Sequence, residues 1–351
     1  MGRARLFLDT MGSLMDDTWK VLFHPFMTGV IDMPEEGRPA LFLGARPGFR
    51  LPDGFTANLH LVQGFRPFFL ALRKEGFQIA PRVEGERYEL ALVLCDRHRD
   101  RNEAHLAEAL LRTRTGGLIV VAGSKAEGVA SLRKRIGALV PVEGALSKHH
   151  GIVFWLRSPE RFDPGALVPE TEKGLVEGRF ETAAGSFSRD RVDPGSAFLV
   201  RNLPSDIKGD GADFAAGWGY LSAELLSRGL PLENLDLYEA DHDSLEAARR
   251  NLAHYATLSR LAFFWHDLIG ETVARPYDTI VMNPPFHQGR ASEPQLGQEM
   301  IRRAANALNP GGRLILVANR PLPYEAVLAE AFSTHGELAR DDRFKVLWGR
   351  R

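Results

Sequence analysis

Thr279-Ile-Val-Met-Asn-Pro-Pro-Phe286 is the stretch on which the fold turns. Its first four residues read as a buried strand, because strands covered on both faces of a parallel sheet carry continuous apolar runs. The chain then stiffens, since two consecutive prolines fix φ and remove two N–H donors. In an open α/β sheet, ligands sit in the crevice at the carboxyl edge of the strands. The Asn283 side-chain oxygen and the Pro284 carbonyl make two acceptors facing one way, suited to an NH2 group on a planar ring. Phe286 offers a face on which that ring can stack. Asn283, Pro284, Pro285 and Phe286 are therefore the candidate catalytic residues, with Phe286 also a candidate substrate contact.

Upstream, Gly211–Phe214 and Leu235–Tyr238 read as further strands, and Arg313–Val317 as another downstream. Asp213-Phe-Ala-Ala-Gly217-Trp-Gly219 reads as a strand, a glycine turn and a helix opening. Glycines let the backbone approach a nucleotide-like ligand, and a helix N-terminus supplies free N–H groups. Glu239 closes the next strand, 20 residues beyond Gly219, and an acid at that spacing can take both hydroxyls of a ribose. Asp267, in His266-Asp-Leu268, closes another strand and suits an adenine amine. The candidate cofactor-binding residues from this half are Asp213, Phe214, Ala215, Gly217, Gly219, Glu239, Ala240, Asp267 and Leu268.

The first half repeats the same grammar. Ala40–Gly44, Tyr88–Leu94 and Leu118–Ala122 read as strands, with a helical period over Asn102–Leu111 between the last two. Tyr88-Glu-Leu-Ala-Leu-Val-Leu94 aligns with Tyr277-Asp-Thr-Ile-Val-Met-Asn283, and Gly116-Gly117 with Gly311-Gly312. A tandem duplication of one α/β unit accounts for both marks. The expected organisation is an N-terminal arm over 1–37, a first unit over 38–158, a Pro/Gly/Glu-rich linker over 159–178 and a second unit over 179–351. Against Asn283-Pro-Pro-Phe286 the first half has Leu94-Cys-Asp-Arg97, and its glycine turn, Leu43-Gly-Ala-Arg-Pro-Gly48, has no acid at a matching spacing. It reads as a copy without the chemistry.

Composition narrows the classes. The chain has 351 residues, enough for two cores, with 44 Lys+Arg against 45 Asp+Glu and ordinary hydrophobic content. One cysteine, Cys95, excludes an intramolecular disulfide and a thiolate zinc site, and fits a cytoplasmic setting. No 18-residue apolar run exists and the start carries no signal-peptide core, so no membrane association is expected. No His/Asp/Glu cluster has metal-ligand spacing. Arg97–Lys148 holds ten Lys/Arg against five Asp/Glu, a local excess that would attract phosphates.

Taken together, these residues resemble the class I S-adenosylmethionine-dependent methyltransferases. More narrowly, they resemble the bacterial ribosomal RNA guanine-N2 methyltransferases of the small-subunit type. Besides Asn283-Pro-Pro-Phe286, the resemblance rests on Phe187-Ser-Arg-Asp190 with Asp193-Pro-Gly-Ser196, on Val317-Ala-Asn-Arg-Pro-Leu-Pro-Tyr324 and on Arg343-Phe-Lys345. It implies two tandem Rossmann-like methyltransferase domains, the first degenerate. It further implies S-adenosylmethionine as cofactor, ribosomal RNA or the small subunit as partner, and a monomer. Ser188 and Asp190 would border the cofactor, and Arg189 the substrate. The family usually has glycine where this chain has Ala215, whose methyl narrows the approach to the methionine moiety. The large-subunit guanine-N2 enzymes share the same loop and plan. Adenine-N6 DNA and protein-glutamine methyltransferases also use an Asn-Pro-Pro loop, but usually end it in Tyr or Trp. An inactive RNA-binding assembly protein is the reading from another class.

Overall fold

The computed structural model describes residues 18–167, 174–256, 260–285, 287–288, 291–292 and 294–351. It divides into two compact units, Met1–Lys173 and Gly174–Arg351.

In the first unit, seven strands run β1 (Pro39–Leu43), β2 (Asn58–Val62), β3 (Gln78–Ala80), β4 (Tyr88–Leu94), β5 (Thr113–Ser124), β6 (Val142–Lys148) and β7 (Gly151–Arg157). They pair in the order β3-β2-β1-β4-β5-β7-β6, parallel except where β7 lies antiparallel between β5 and β6. The continuous apolar run of β4 is buried from Leu90 to Leu94, as a central strand covered on both faces must be. The helix Thr18–Met27 buries Val21, Leu22, Phe23 and Phe26 against one face. The described part of the arm is therefore docked into this core. In the linker, a helical turn over Pro164–Leu167 buries Leu167 in the same unit, where its carbonyl accepts from Arg135 Nη2 at 2.8 Å.

The second unit repeats the topology strand for strand. Its main strands are β8 (Gly209–Phe214), β9 (Leu232–Glu239), β10 (Arg260–Trp265), β11 (Tyr277–Met282), β14 (Leu308–Asn319), β15 (Thr334–Arg340) and β16 (Phe344–Arg350), with a small hairpin of β12 (His287–Gln288) and β13 (Ala291–Ser292) after β11. The order is β10-β9-β8-β11-β14-β16-β15, and β16 again runs antiparallel between its neighbours. Even the irregularities recur: the β4–β5 register slips after Tyr88, and the β11–β14 register slips after Tyr277. Both slips sit beside a glycine pair. Gly116 and Gly311 adopt φ +75° and +81°, while a Cβ on Gly117 or Gly312 would come within 3 Å of neighbouring atoms. The two aligned marks in the sequence are thus one structural device used twice.

In each unit the chain leaves the first strand toward one edge and returns to build the other side. In the second unit that switch falls between β8 and β11. The loops after those strands, 215–219 and 283–285, flank the crevice where open α/β sheets bind ligands.

Candidate functional site

The loop after β8 is held in an unusual shape. Ala215 sits at φ +59°, Gly217 at +55° and Gly219 at +89°. A side chain on Gly217 would meet nothing within 4 Å, so its glycine leaves open space above the loop. A Cβ on Gly219 would lie 3.1 Å from Ala248 Cβ, so that glycine lets the loop pack on the helix His242–Asn251. Asn251 locks the other side, its Nδ2 donating to the carbonyls of Trp218 and Glu181 at 2.8 and 2.9 Å. Trp218 Nε1 in turn donates to the Phe187 carbonyl at 3.1 Å.

A cleft open to solvent lies over this loop. Phe187, Ser188, Ala215, Ala216, Gly217 and Trp218 line one part of it, and Asp193, Ser196 and Asn283 another. Ser188 adopts φ +51°, and Phe187 beside it is 63% exposed. Of the other residues in that motif, Arg189 lies 3.8 Å from the carboxylate of Asp190, whose side chain is exposed.

Glu239 ends β9 with each oxygen accepting a backbone N–H, from Gly217 and from Asp241, both at 2.8 Å. Burial pushes its carboxyl up to about 7, against the pull of those donors. A carboxylate so held can still accept a further donor, such as a ribose hydroxyl. Ala240 contributes its carbonyl to Trp265 Nε1. Asp267 forms an Asx turn, its Oδ1 accepting from Ile269 N at 2.9 Å, and Leu268 is buried beside it. Asp213 and Phe214 stand elsewhere. Asp213 is fully buried, bonded to Ser222 Oγ at 2.7 Å, and burial pushes its carboxyl up to about 7. Phe214 packs edge-on against Tyr238. Neither lines the cleft: as consecutive strand residues they point to opposite faces of the sheet and are buried on either side of it, beneath the loop.

Asn283 follows β11 and is half-buried in the cleft wall. Its Nδ2 donates to Asp193 Oδ2 at 2.9 Å and to Ser196 Oγ at 2.7 Å. Its Oδ1 is buried and has no partner among the described residues. Pro284 is buried, Pro285 exposed, and Phe286 lies outside the described residues. Asp193 and Ser196 are functional neighbours that the reading of the loop alone missed. The signal was present: Asp193-Pro-Gly-Ser196 is a helix start, with an N-cap acid followed by Pro at the first helical position.

Other motifs prove structural. Lys345 is 3% exposed and its Nζ donates to the Leu322 carbonyl and to Glu325, tying Arg343-Phe-Lys345 to the segment around Tyr324. In the basic stretch, Arg99, Arg101, Arg112, Arg114 and Arg135 all form ion pairs with nearby acids, so much of its excess is neutralised within the fold. No group of three metal-ligating side chains occurs among the described residues.

Strand registers locate the corresponding positions of the first unit. Leu43 pairs with Val62 as Phe214 pairs with Tyr238, so Gln63 stands where Glu239 does. Gln63 has turned inward, donating to the Ala45 carbonyl and accepting from Phe65 N. Gly44 matches Ala215, and Arg46 matches Gly217. The Arg46 guanidinium bonds the Cys95 carbonyl at 2.9 Å and pairs with Glu127, filling space that Gly217 leaves open. An uncharged amide and an arginine thus stand in this copy where the second unit has a carboxylate and a glycine.

The chain matches the methyltransferase small domain family over residues 177–348. It is 30% identical over 306 residues to ribosomal RNA small subunit methyltransferase C of Idiomarina loihiensis, covering 84% of this chain and 88% of that protein. To the enzyme of the same name from Salmonella arizonae it is 34% identical over 233 residues, 66% of this chain and 67% of that protein. Among solved structures, it superimposes on the T. thermophilus 16S rRNA N2 G1207 methyltransferase, described in complex with AdoMet and guanosine, with a TM-score of 0.74. That match has 23% identity and covers 96% of this chain and 92% of the other. The likeness extends the two-unit architecture to an enzyme of known fold.

Proposed function

The chain belongs to the ribosomal RNA small subunit methyltransferase C family, and from that membership and the cleft we propose that it methylates the exocyclic N2 of a guanine in 16S ribosomal RNA. It is an S-adenosylmethionine-dependent methyltransferase whose second unit carries the reaction. The observation that carries the reading is the Asn283 amide, whose nitrogen is tied to Asp193 and Ser196 while its oxygen is buried without a partner among the described residues. A buried acceptor left unpaired costs about 1–3 kcal/mol. A substrate N–H recovers that cost.

Glu239 and the open backbone around Gly217 fit the ribose of S-adenosylmethionine, and the cleft wall of Phe187, Ser188 and Ala215 fits the remainder. Bound there, the cofactor supplies a methyl group on a positively charged sulfur. The residues of the chain do the rest by position and electrostatics. A guanine amine is nearly non-basic, its lone pair spread into the ring. Asn283 Oδ1, with the Pro284 carbonyl, accepts its N–H groups and turns the lone pair toward the methyl carbon. Transfer of that methyl to the amine would leave the cofactor as a neutral thioether and put positive charge on nitrogen, which these acceptors would hold more tightly until one N–H proton passes to solvent. No side-chain base is required before attack, since the amine becomes acidic only as the bond forms. The guanine reaches such a pocket by leaving its stack.

The test is methylation of 16S rRNA and of small subunits with labelled cofactor, followed by mapping of the modified nucleotide. Label in a guanine N2 of 16S RNA, abolished in Asn283→Ala while cofactor binding persists, is the expected result. Full turnover by Asn283→Ala defeats the reading.

A further inference from the structure

An asparagine amide has two ends of nearly equal shape, and only one of them accepts hydrogen bonds. Guanine methylation at this cleft needs the oxygen toward the substrate, because an NH2 facing the guanine amine would set donor against donor. Rotation of the amide by half a turn about its last bond would thus silence the site with hardly an atom displaced. We infer that Asp193 is the positioning residue that forbids this rotation, an inference that rests on Asn283 being the substrate acceptor.

Three features of the structure assign the role to Asp193 and not to its neighbours. First, its Oδ2 faces Asn283 at 2.9 Å, and an ionised carboxylate only accepts, so the amide must present its nitrogen there. Ser196 Oγ, 2.7 Å from the same nitrogen, can donate or accept, so it tolerates either orientation. Second, the carboxylate is itself fixed. The same Oδ2 accepts the backbone N–H of Ser196 at 2.7 Å, capping the helix Pro194–Arg201. Pro194 sits at the first helical position, where its missing N–H costs nothing. Third, Gly195 makes room. A Cβ on it would lie 3.0 Å from Asp193 Oδ2 and 3.2 Å from the Phe344 ring, so a larger residue would crowd the carboxylate against Asn283. Helix cap and substrate acceptor are thus joined through one oxygen. This explains why a helix start ninety residues upstream of the Asn-Pro-Pro loop belongs to the cleft.

The decisive variants separate the cap from the contact with Asn283. Asp193→Ser keeps an N-cap of equal quality, so the helix persists. Its hydroxyl, however, can donate as well as accept, so nothing obliges Asn283 to present nitrogen there. The expected result is a fall in kcat of about 10²–10³-fold, the range for losing one preorganised partner of a developing charge. Guanine-substrate KM, melting temperature and cofactor affinity stay close to wild type. Asp193→Asn can place its single oxygen where Oδ2 stands, accepting from both Ser196 N and Asn283 Nδ2. It is expected to exceed Asp193→Ser at least about tenfold in kcat, a difference that a purely capping role would not produce, since both residues cap equally well. Ser196→Ala, which removes only the ambivalent partner, loses less than about tenfold in kcat, since one preorganised contact to the amide remains.

Wild-type kcat in Asp193→Ser, or an Asp193→Asn no better than that variant, overturns the inference. Measuring Asn283→Ala in parallel separates the two levels. If that variant is inactive while Asp193→Ser is unaffected, only the positioning role falls. If it is fully active, the functional reading falls with it.

Discussion

Ala215 is a left-handed residue with a side chain, and replacing it with glycine tests the shape of the cofactor loop by energy. At φ +59° an L-residue pays about 1–2 kcal/mol for the contact between Cβ and the following carbonyl. Glycine removes that cost but has more freedom to lose on folding, worth about 0.4–1 kcal/mol. The net expectation for Ala215→Gly is a gain of roughly 0.5–1 kcal/mol in the second unit. In a unit of this size that corresponds to an increase in melting temperature of about 1–4 °C. The reverse change two residues on supplies the control. Gly217 has φ +55° and nothing within 4 Å of a built Cβ, so Gly217→Ala meets no clash and incurs only the backbone cost. It should lower the same transition by a similar amount. Differential scanning calorimetry, with the second-unit transition assigned by its rise on cofactor addition, reads both variants. Titration calorimetry then asks whether removing the Ala215 methyl from the cleft wall tightens cofactor binding. Should Ala215→Gly melt lower than the parent, or Gly217→Ala melt higher, the left-handed loop is not a strained element.

Three further outcomes are expected. Glu239, pushed up to about 7 by burial, accepts ribose hydroxyls best when ionised, so cofactor affinity should rise about tenfold from pH 6 to pH 8; Glu239→Gln should bind weakly with a flat profile. Asp213 is pushed up to about 7 from 3.8, so the folded chain keeps a proton that the unfolded chain releases. Its contribution to stability is therefore greatest below about pH 4 and declines as pH rises to about 7; Asp213→Asn should flatten that decline in urea titrations, and an unchanged slope would refute the burial argument. Tyr277 donates to buried Asp236 at 2.7 Å and lies 2.6 Å from Tyr238 Oη; Tyr277→Phe should destabilise the second unit by about 1.5–3 kcal/mol in chemical denaturation, without altering cofactor binding.

Much of the architecture could be read in the chain because it was written in periodicity. The runs at Tyr88–Leu94 and Tyr277–Met282 became β4 and β11, and the two glycine pairs became matching bends in β5 and β14. The short or half-exposed strands β3, β6 and β15 were invisible, since their burial patterns lack any apolar run. The docked helix Thr18–Met27 looked like an arm because its apolar residues acquire meaning only against a face of the sheet. Charge was misleading for a related reason. The arginines of Arg97–Lys148 were counted against acids near in sequence, yet Arg112 and Arg114 are neutralised by Glu86 and Glu89, which lie upstream on and beside β4.

For the cleft, the order of residues along the chain carried the ingredients: an asparagine before two prolines, a glycine turn, and an acid closing the next strand. Those depend on local backbone chemistry, which a linear pattern records. Which of them meet was settled by the folding of the sheet. It sent Asp213 and Phe214 beneath the loop because adjoining strand residues anchor in the core, and it brought Asp193 and Ser196 from ninety and eighty-seven residues away to the nitrogen of Asn283. Hydrogen bonds between distant segments leave no spacing for a reader of the chain to measure. They exist only once the sheet has closed the distance.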